Sequence, residues 1–123
     1  MANRSAKGLQ RIINAFGFSM AGLRSCFRHE EAFRQEVLVA MVMVPLGVWL
    51  GRDGPERAAL VGSVILVLIV ELLNSAIEAS VDRVGMERHR LSKRAKDIAS
   101  AAVFLSIVFA LAVWVLVLAP QWL

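Results

Sequence analysis

Four polar side chains recur along an otherwise apolar stretch in the second half of the chain. They are Glu71, Asn74, Glu78 and Asp82. Their spacings of three, four and four residues place them on one face of a helix with about 3.6 residues per turn. If the end of this helix simply reached the water at the membrane surface, polar residues such as Asp82 and Glu78 would be expected there. Glu71 is not explained in this way, because it lies roughly 16 Å from Asp82 along the helix axis. Ionisable residues at such depth usually face a cavity and serve a function, so this polar face is the predicted site of chemistry.

The residue types of the polar face are compatible with different classes of function. Carboxylate oxygens bind Mg²⁺, which bridges them to phosphates, and phosphoryl transfer needs in addition a base for the attacking hydroxyl. Transport is a second class, with the face as a proton or cation relay, and a helical partner protein is a third. The segments 37–50 and 98–118 contain no ionisable residue to continue a pathway, so lipid head-group chemistry with a cytoplasmic phosphate donor is favoured over transport.

The elements that position this face are predicted to be membrane-spanning helices of a single domain, residues 1–123. The chain is 58% hydrophobic, and its apolar residues are concentrated in runs, which is typical of an integral membrane protein. We expect an all-α fold with transmembrane helices at about 32–50, 57–82 and 96–119. A turn rich in Gly and Pro joins the first two, and a basic connection joins the last two.

Residues 1–31 carry a different pattern, in which apolar residues mostly recur every three or four positions. They are Leu9, Ile12, Ile13, Phe16, Met20, Leu23 and Phe27. Basic residues lie largely off this stripe, so the segment is predicted to be an amphipathic helix in the membrane interface. The same stripe could also pack against the other helices of the protein.

The distribution of basic residues predicts the orientation. Of the fourteen Lys and Arg residues, six precede the apolar run 37–50, six lie between Asp82 and the apolar run 98–118, and only Arg52 and Arg57 lie in the first turn. The positive-inside rule places the N-terminus in the cytoplasm and the C-terminus outside. Trp49, Trp114 and Trp122 are expected to form an aromatic belt at the outer face. Because the cations flank apolar runs, topology and anionic lipid explain the net charge better than nucleic acid.

Several short motifs follow one another in the order found in a known family. The polar face is followed by Lys96-Asp97 at the head of an apolar helix, and the segments Arg11-Ile12-Ile13, Gly22-Leu23-Arg24 and Glu30-x-Ala32-Phe33-Arg34-Gln35-Glu36 precede it. Together they resemble the small integral-membrane diacylglycerol kinases of bacteria. Related undecaprenol kinases share the Glu-Asn-Glu-Asp pattern and the Lys-Asp pair. A polyprenol is therefore the alternative substrate, although the Ala-Phe-Arg-Gln-Glu segment is more similar to the diacylglycerol enzymes.

The resemblance implies a homotrimer in the bacterial inner (cytoplasmic) membrane that phosphorylates diacylglycerol to phosphatidate with ATP and Mg²⁺. It assigns Glu71 as the catalytic base, and Glu30 and Glu78 as metal-binding carboxylates. The implied nucleotide-binding residues are Arg11, Phe18, Glu30, Asn74, Glu78, Glu87, His89, Lys96 and Asp97. The implied lipid-binding residues are Arg11, Arg57, Glu71 and Ser100. Phe18 stands where Tyr is usual in the family, so a hydrogen bond from that hydroxyl is missing.

Alternatives stay open for several of these residues. Lys96 is equally typical of a lysine that extends towards head groups from a helix start, and Asp97 could be the N-terminal cap of the third span. Glu87 and His89 are as compatible with a solvated loop. Three spans would leave one side of the polar face open to lipid, which is costly. We therefore expect a neighbouring subunit to cover it, with Lys96 and Asp97 of one chain completing the site of another.

Overall fold

The computed structural model describes residues 7–84 and 89–122, and within these residues the chain forms four α-helices. They are α1 (Leu9–His29), α2 (Glu31–Leu50), α3 (Gly54–Val84) and α4 (His89–Trp122). The last three contain segments that are long and apolar enough to cross a membrane, at Glu31–Leu50, Gly54–Arg83 and Arg90–Trp122. The expected all-helical fold with three candidate membrane spans is confirmed.

The third spanning helix begins earlier than the sequence predicted. The basic segment after residue 83, expected as a connection, is helical from His89 onwards, which agrees with the high helix propensity of Leu, Lys, Arg and Ala. Asp97 therefore lies in the third turn of α4, and the alternative role as N-terminal cap is wrong. The longer helix carries Lys96 and Asp97 alongside the end of α3.

The corner between α1 and α2 consists of one extended residue, Glu30, with φ −118° and ψ 112°. Its backbone N–H donates to the carbonyl of Cys26 at 2.9 Å. The guanidinium of Arg34 donates to the carbonyl groups of Phe27 at 2.8 Å and Arg28 at 3.0 Å, which satisfies acceptors left free at the end of α1. These hydrogen bonds hold Glu30, with its carboxylate, at the junction of α1 and α2.

The turn between α2 and α3 is closed by side-chain hydrogen bonds. Asp53 Oδ1 accepts from the backbone N–H of Glu56 at 2.9 Å and so caps the start of α3. Glu56 also pairs with Arg52 at 2.9 Å and accepts from Gln121 Nε2 at 3.1 Å. A Cβ on Gly51 would lie 2.6 Å from the Arg57 side chain, so only glycine fits there. The turn is thereby joined to the end of α4.

The helices pack through small residues and one tryptophan. α3 contacts both α2 and α4, whereas α1 makes fewer contacts. Gly47 of α2 allows close approach, because a Cβ there would lie 3.1 Å from Leu60 Cβ. Trp114 is half-buried, and its indole N–H donates to the carbonyl of Leu60 at 3.1 Å. It therefore packs between α4 and α3, where we expected a residue of the aromatic belt.

The apolar stripe of α1 is largely open in the single chain. Leu9, Ile12 and Phe16 are all more than half exposed, and Cys26 is the one buried residue of this helix. Packing against the chain's own helices therefore does not explain the stripe. A surface outside the single chain must cover it if it is to leave water.

Candidate active site

The polar face of α3 runs from a buried residue to an exposed one. Glu71 is 4% exposed in the single chain, Asn74 and Glu78 are half-buried, and Asp82 is exposed. We expected Glu71 to lie open to lipid until a neighbouring subunit covered it, and this expectation is wrong. The structure covers Glu71 with α2 of its own chain, because the first turns of α2 pack directly against this part of α3.

The residue that covers Glu71 is Glu36, in the second turn of α2. Its carboxyl group lies beside that of Glu71 within hydrogen-bonding reach, and its Oε1 is buried with no hydrogen-bond partner. Sequence reasoning assigned no role to Glu36. Its spacing from the buried residues Phe33 and Ala40 does place it on the inner face of α2, and that signal could have found it.

Further along α3, Asn74 and Glu78 form an intrahelical contact. Asn74 Nδ2 donates to Glu78 Oε2 at 3.4 Å, while Asn74 Oδ1 is buried without a partner. Within the described residues, no group of three or more His, Cys, Asp and Glu residues converges. Mg²⁺ retains several waters and commonly takes only one or two carboxylates besides phosphate oxygens. The free oxygen of Asn74 beside Glu78 therefore fits such an ion.

Glu30 reaches the same region from the corner between α1 and α2. It lines a cleft of about 490 Å³ between α1 and α3, together with Cys26 and Ser75. Cys26 Sγ donates to Ser75 Oγ at 3.4 Å. Burial raises the pKa of the Cys26 thiol, the hydrogen bond with Ser75 opposes this, and the carboxylates of Glu30, Glu71 and Glu36 raise it further. The three carboxylates act on the thiol through space, whereas its hydrogen-bond partner is Ser75.

Two ion pairs lie at the basic end of the site. Lys96 Nζ is 2.7 Å from Asp82 Oδ1, and Lys93 Nζ is 2.7 Å from Asp97 Oδ2. Lys96 therefore meets the polar face of its own chain, where we expected that of a neighbouring one. Asp97 is exposed and bound within its own helix, so it makes no contact of this kind with the polar face.

Several other residues predicted to belong to the site lie away from the polar face of α3. Arg57 lies near the opposite end of α3, about 21 Å from Glu71 along the axis, and its Nε donates to the carbonyl of Gly51 at 3.1 Å. Arg11 and Phe18 are exposed on α1, and Ser100 is exposed one turn beyond Lys96 on α4. Glu87 and the side chain of His89 lie outside the described residues.

A second cavity, of about 280 Å³, lies between α2, α3 and α4. Its lining is apolar apart from Glu36 and includes Val39, Met43, Leu68 and Trp114. An apolar chain in this cavity would bring its polar end to Glu36 and the adjoining Glu71. No pattern in the sequence indicated the cavity, because three different helices line it.

Comparison with known proteins gives consistent matches over most of the chain. The family model of prokaryotic diacylglycerol kinase matches residues 17–118. The diacylglycerol kinase of Escherichia coli K12 is 50% identical over 118 residues, which are 96% of this chain and 96% of that protein. The diacylglycerol kinase of Pseudomonas aeruginosa is 51% identical over 111 residues, 90% of each chain. That of Helicobacter pylori is 40% identical over 109 residues, 89% of this chain and 85% of the relative.

Proposed function

The chain belongs to the prokaryotic diacylglycerol kinase family, and on this basis we propose that Glu71 is the base of an ATP-dependent phosphorylation of diacylglycerol. The chain is an enzyme of the diacylglycerol kinase type, in keeping with its relatives and with three helices able to cross a membrane. The observation that carries the proposed role is the burial of Glu71, which is 4% exposed and lies beside Glu36, a residue that lines an apolar cavity. A carboxylate with no structural ion pair at that depth is best explained by chemistry.

In the proposed step, the primary hydroxyl oxygen of diacylglycerol attacks the γ-phosphorus of ATP. The bond from that phosphorus to the oxygen bridging to the β-phosphate breaks, ADP leaves, and the hydroxyl proton passes to the Glu71 carboxylate. Lys96, which pairs with Asp82 at the end of the polar face, is the residue proposed to neutralise phosphate charge. The burial of Glu71 also keeps water from competing with the lipid hydroxyl.

The carboxylates of Glu30 and Glu78, with the free oxygen of Asn74, are the proposed ligands of Mg²⁺. The ion would neutralise charge on the phosphates of ATP. Glu30→Gln and Glu78→Gln are each expected to raise the Mg²⁺ concentration needed for half-maximal activity by about tenfold or more, since an amide is a poorer ligand for a hard cation. Titration of activity with Mg²⁺ at fixed ATP measures this.

The matched control is Glu31→Gln, which makes the same change at an exposed neighbouring residue. Its Mg²⁺ dependence should equal that of the wild type. If Glu30→Gln or Glu78→Gln lowers activity with an unchanged Mg²⁺ dependence, the metal role of that residue is wrong.

The lipid substrate is proposed to place an acyl chain in the apolar cavity between α2 and α4, with its hydroxyl near Glu71. Purified protein in lipid vesicles, supplied with radiolabelled ATP, should transfer label to added diacylglycerol. Transfer to undecaprenol alone would favour the alternative substrate. Transfer to neither lipid would overturn the kinase function and return attention to transport or a partner role. The remaining nucleotide and lipid contacts implied by the resemblance stay predictions.

We further propose that the protein acts as a homotrimer in the bacterial inner membrane, with α1 on the cytoplasmic surface. Its exposed apolar stripe suits the boundary between head groups and acyl chains. Cys26 is only 8% exposed and is a poor reporter of topology, so the test uses a Cys26→Ala background. A membrane-impermeant thiol reagent should label an Asp53→Cys variant in intact cells, but a Ser19→Cys variant only after permeabilisation. The opposite pattern would reverse the orientation.

A further inference from the structure

Glu36 and Glu71 form a pair of carboxyl groups on facing helices, and the proposed chemistry uses only one of them. The two groups lie within hydrogen-bonding reach of each other. Glu71 is buried and Oε1 of Glu36 has no partner. A buried polar atom of this kind is rare in folded proteins and calls for an explanation. The pair is therefore a candidate for a role in the reaction.

The surroundings of the pair do not compensate two negative charges. None of the ion pairs within residues 7–84 and 89–122 includes Glu36 or Glu71. The titratable groups that face the pair from α1 and its corner are Cys26 and Glu30, neither of which is a cation. Lys96, the cation that α4 brings to the polar face, binds Asp82 at the far end of that face. Two ionised carboxylates so close and so poorly solvated would repel strongly, and a proton shared between them would relieve this repulsion.

The two members of the pair have different environments. Glu36 lines the apolar cavity between α2, α3 and α4, where an ionised carboxylate is poorly solvated. Glu71 instead begins the polar face that continues through Asn74 and Glu78. Glu36 therefore lies in the less polar surroundings of the two.

We propose that Glu36 is a positioning residue for Glu71: it keeps the shared proton and donates a hydrogen bond to the Glu71 carboxylate. A charge-assisted bond of this type is strong and directional. It holds one oxygen of Glu71 against α2 and leaves the other free for the lipid hydroxyl. The inference rests on the proposed role of Glu71 as the base.

The test compares two substitutions of Glu36 that differ in one property. In Glu36→Gln the side-chain amide can still donate to Glu71, so kcat should stay within about tenfold of the wild type. Glu36→Leu has no donor, so kcat should fall by about 10²-fold, because a mispositioned base loses its alignment with the hydroxyl. The KM for ATP should change by less than about threefold in both variants, since ATP does not need this bond to be held.

Two further variants exclude trivial explanations. Glu31→Gln, an exposed substitution in the first turn of the same helix, should leave kcat unchanged. Thermal unfolding in lipid-detergent micelles shows whether Glu36→Leu is folded, and if it is not, Glu36→Met provides a flexible apolar side chain of similar length. Loss of activity in either apolar variant counts only for folded protein.

Equal kcat values for the Gln variant and a folded apolar variant would overturn the proposal, because a donor would then be irrelevant. A Gln variant as inactive as Glu71→Gln would also overturn it, since Glu36 would then have to change its own charge during the reaction. Failure of the underlying function is distinguishable: a Glu71→Gln variant with near-normal turnover would show that Glu71 is not the base, whatever the Glu36 variants do.

Discussion

Glu71→Gln is expected to lower kcat by about 10²–10⁴ while ATP and diacylglycerol still bind, which is the range for removal of a general base. The amide keeps the size of the side chain and can still accept a hydrogen bond from a donor on α2. It lacks the basic oxygen that takes the hydroxyl proton. Turnover and substrate binding would be measured separately, on protein in lipid vesicles.

The control for this variant is Glu56→Gln, which makes the same chemical change near the other end of α3, where Glu56 pairs with Arg52. It should keep wild-type kcat. The melting temperature of Glu71→Gln should not fall, because the substitution removes one of two adjacent acids. Near-normal turnover by Glu71→Gln would contradict its assignment as the base.

Mixed oligomers of two inactive variants are expected to recover activity. Asp97 binds Lys93 within its own helix and makes no contact with the polar face of its own chain, so a role in catalysis requires the polar face of another subunit. Glu78→Leu and Asp97→Asn should each be inactive alone. When they are unfolded together and reassembled in equal amounts, random mixing leaves about a quarter of the sites with both residues intact.

The matched control mixes Glu78→Leu with Glu71→Gln. Both residues lie on α3 of one chain, so each site receives them from the same subunit and no mixture restores both. Absence of recovery in the first mixture at every ratio would contradict a site shared through Asp97. Recovery in the control mixture would mean that Glu71 and Glu78 serve different sites.

The helical face of α3 could be predicted from sequence because it depends on spacing within one helix. The spacing of Glu71, Asn74 and Glu78 is set by helix geometry alone, and the structure keeps all three on one face. Apolar runs likewise predicted the three candidate spans, since length and composition decide whether a helix can cross a membrane.

Contacts between helices were not predictable in the same way. The pairing of Glu36 with Glu71 depends on how α2 packs on α3, and no local pattern records that packing. Trp114 was assigned to the membrane surface by residue type, but the carbonyl of Leu60 accepts its N–H inside the bundle. Lys96 pairs with Asp82 because α4 begins at His89, about two turns earlier than predicted. The helix propensity of these residues decided the structure of a segment that was expected to be a loop.

The one-residue corner between α1 and α2 has a mechanical consequence. Glu30 is the only residue between the two helices, so any change in the tilt of α1 must be taken up by its backbone dihedral angles. α1 has 21 residues and acts as a lever arm of about 30 Å. If α1 lies among the lipid head groups, as proposed, their lateral packing acts through this helix on Glu30, a proposed metal ligand.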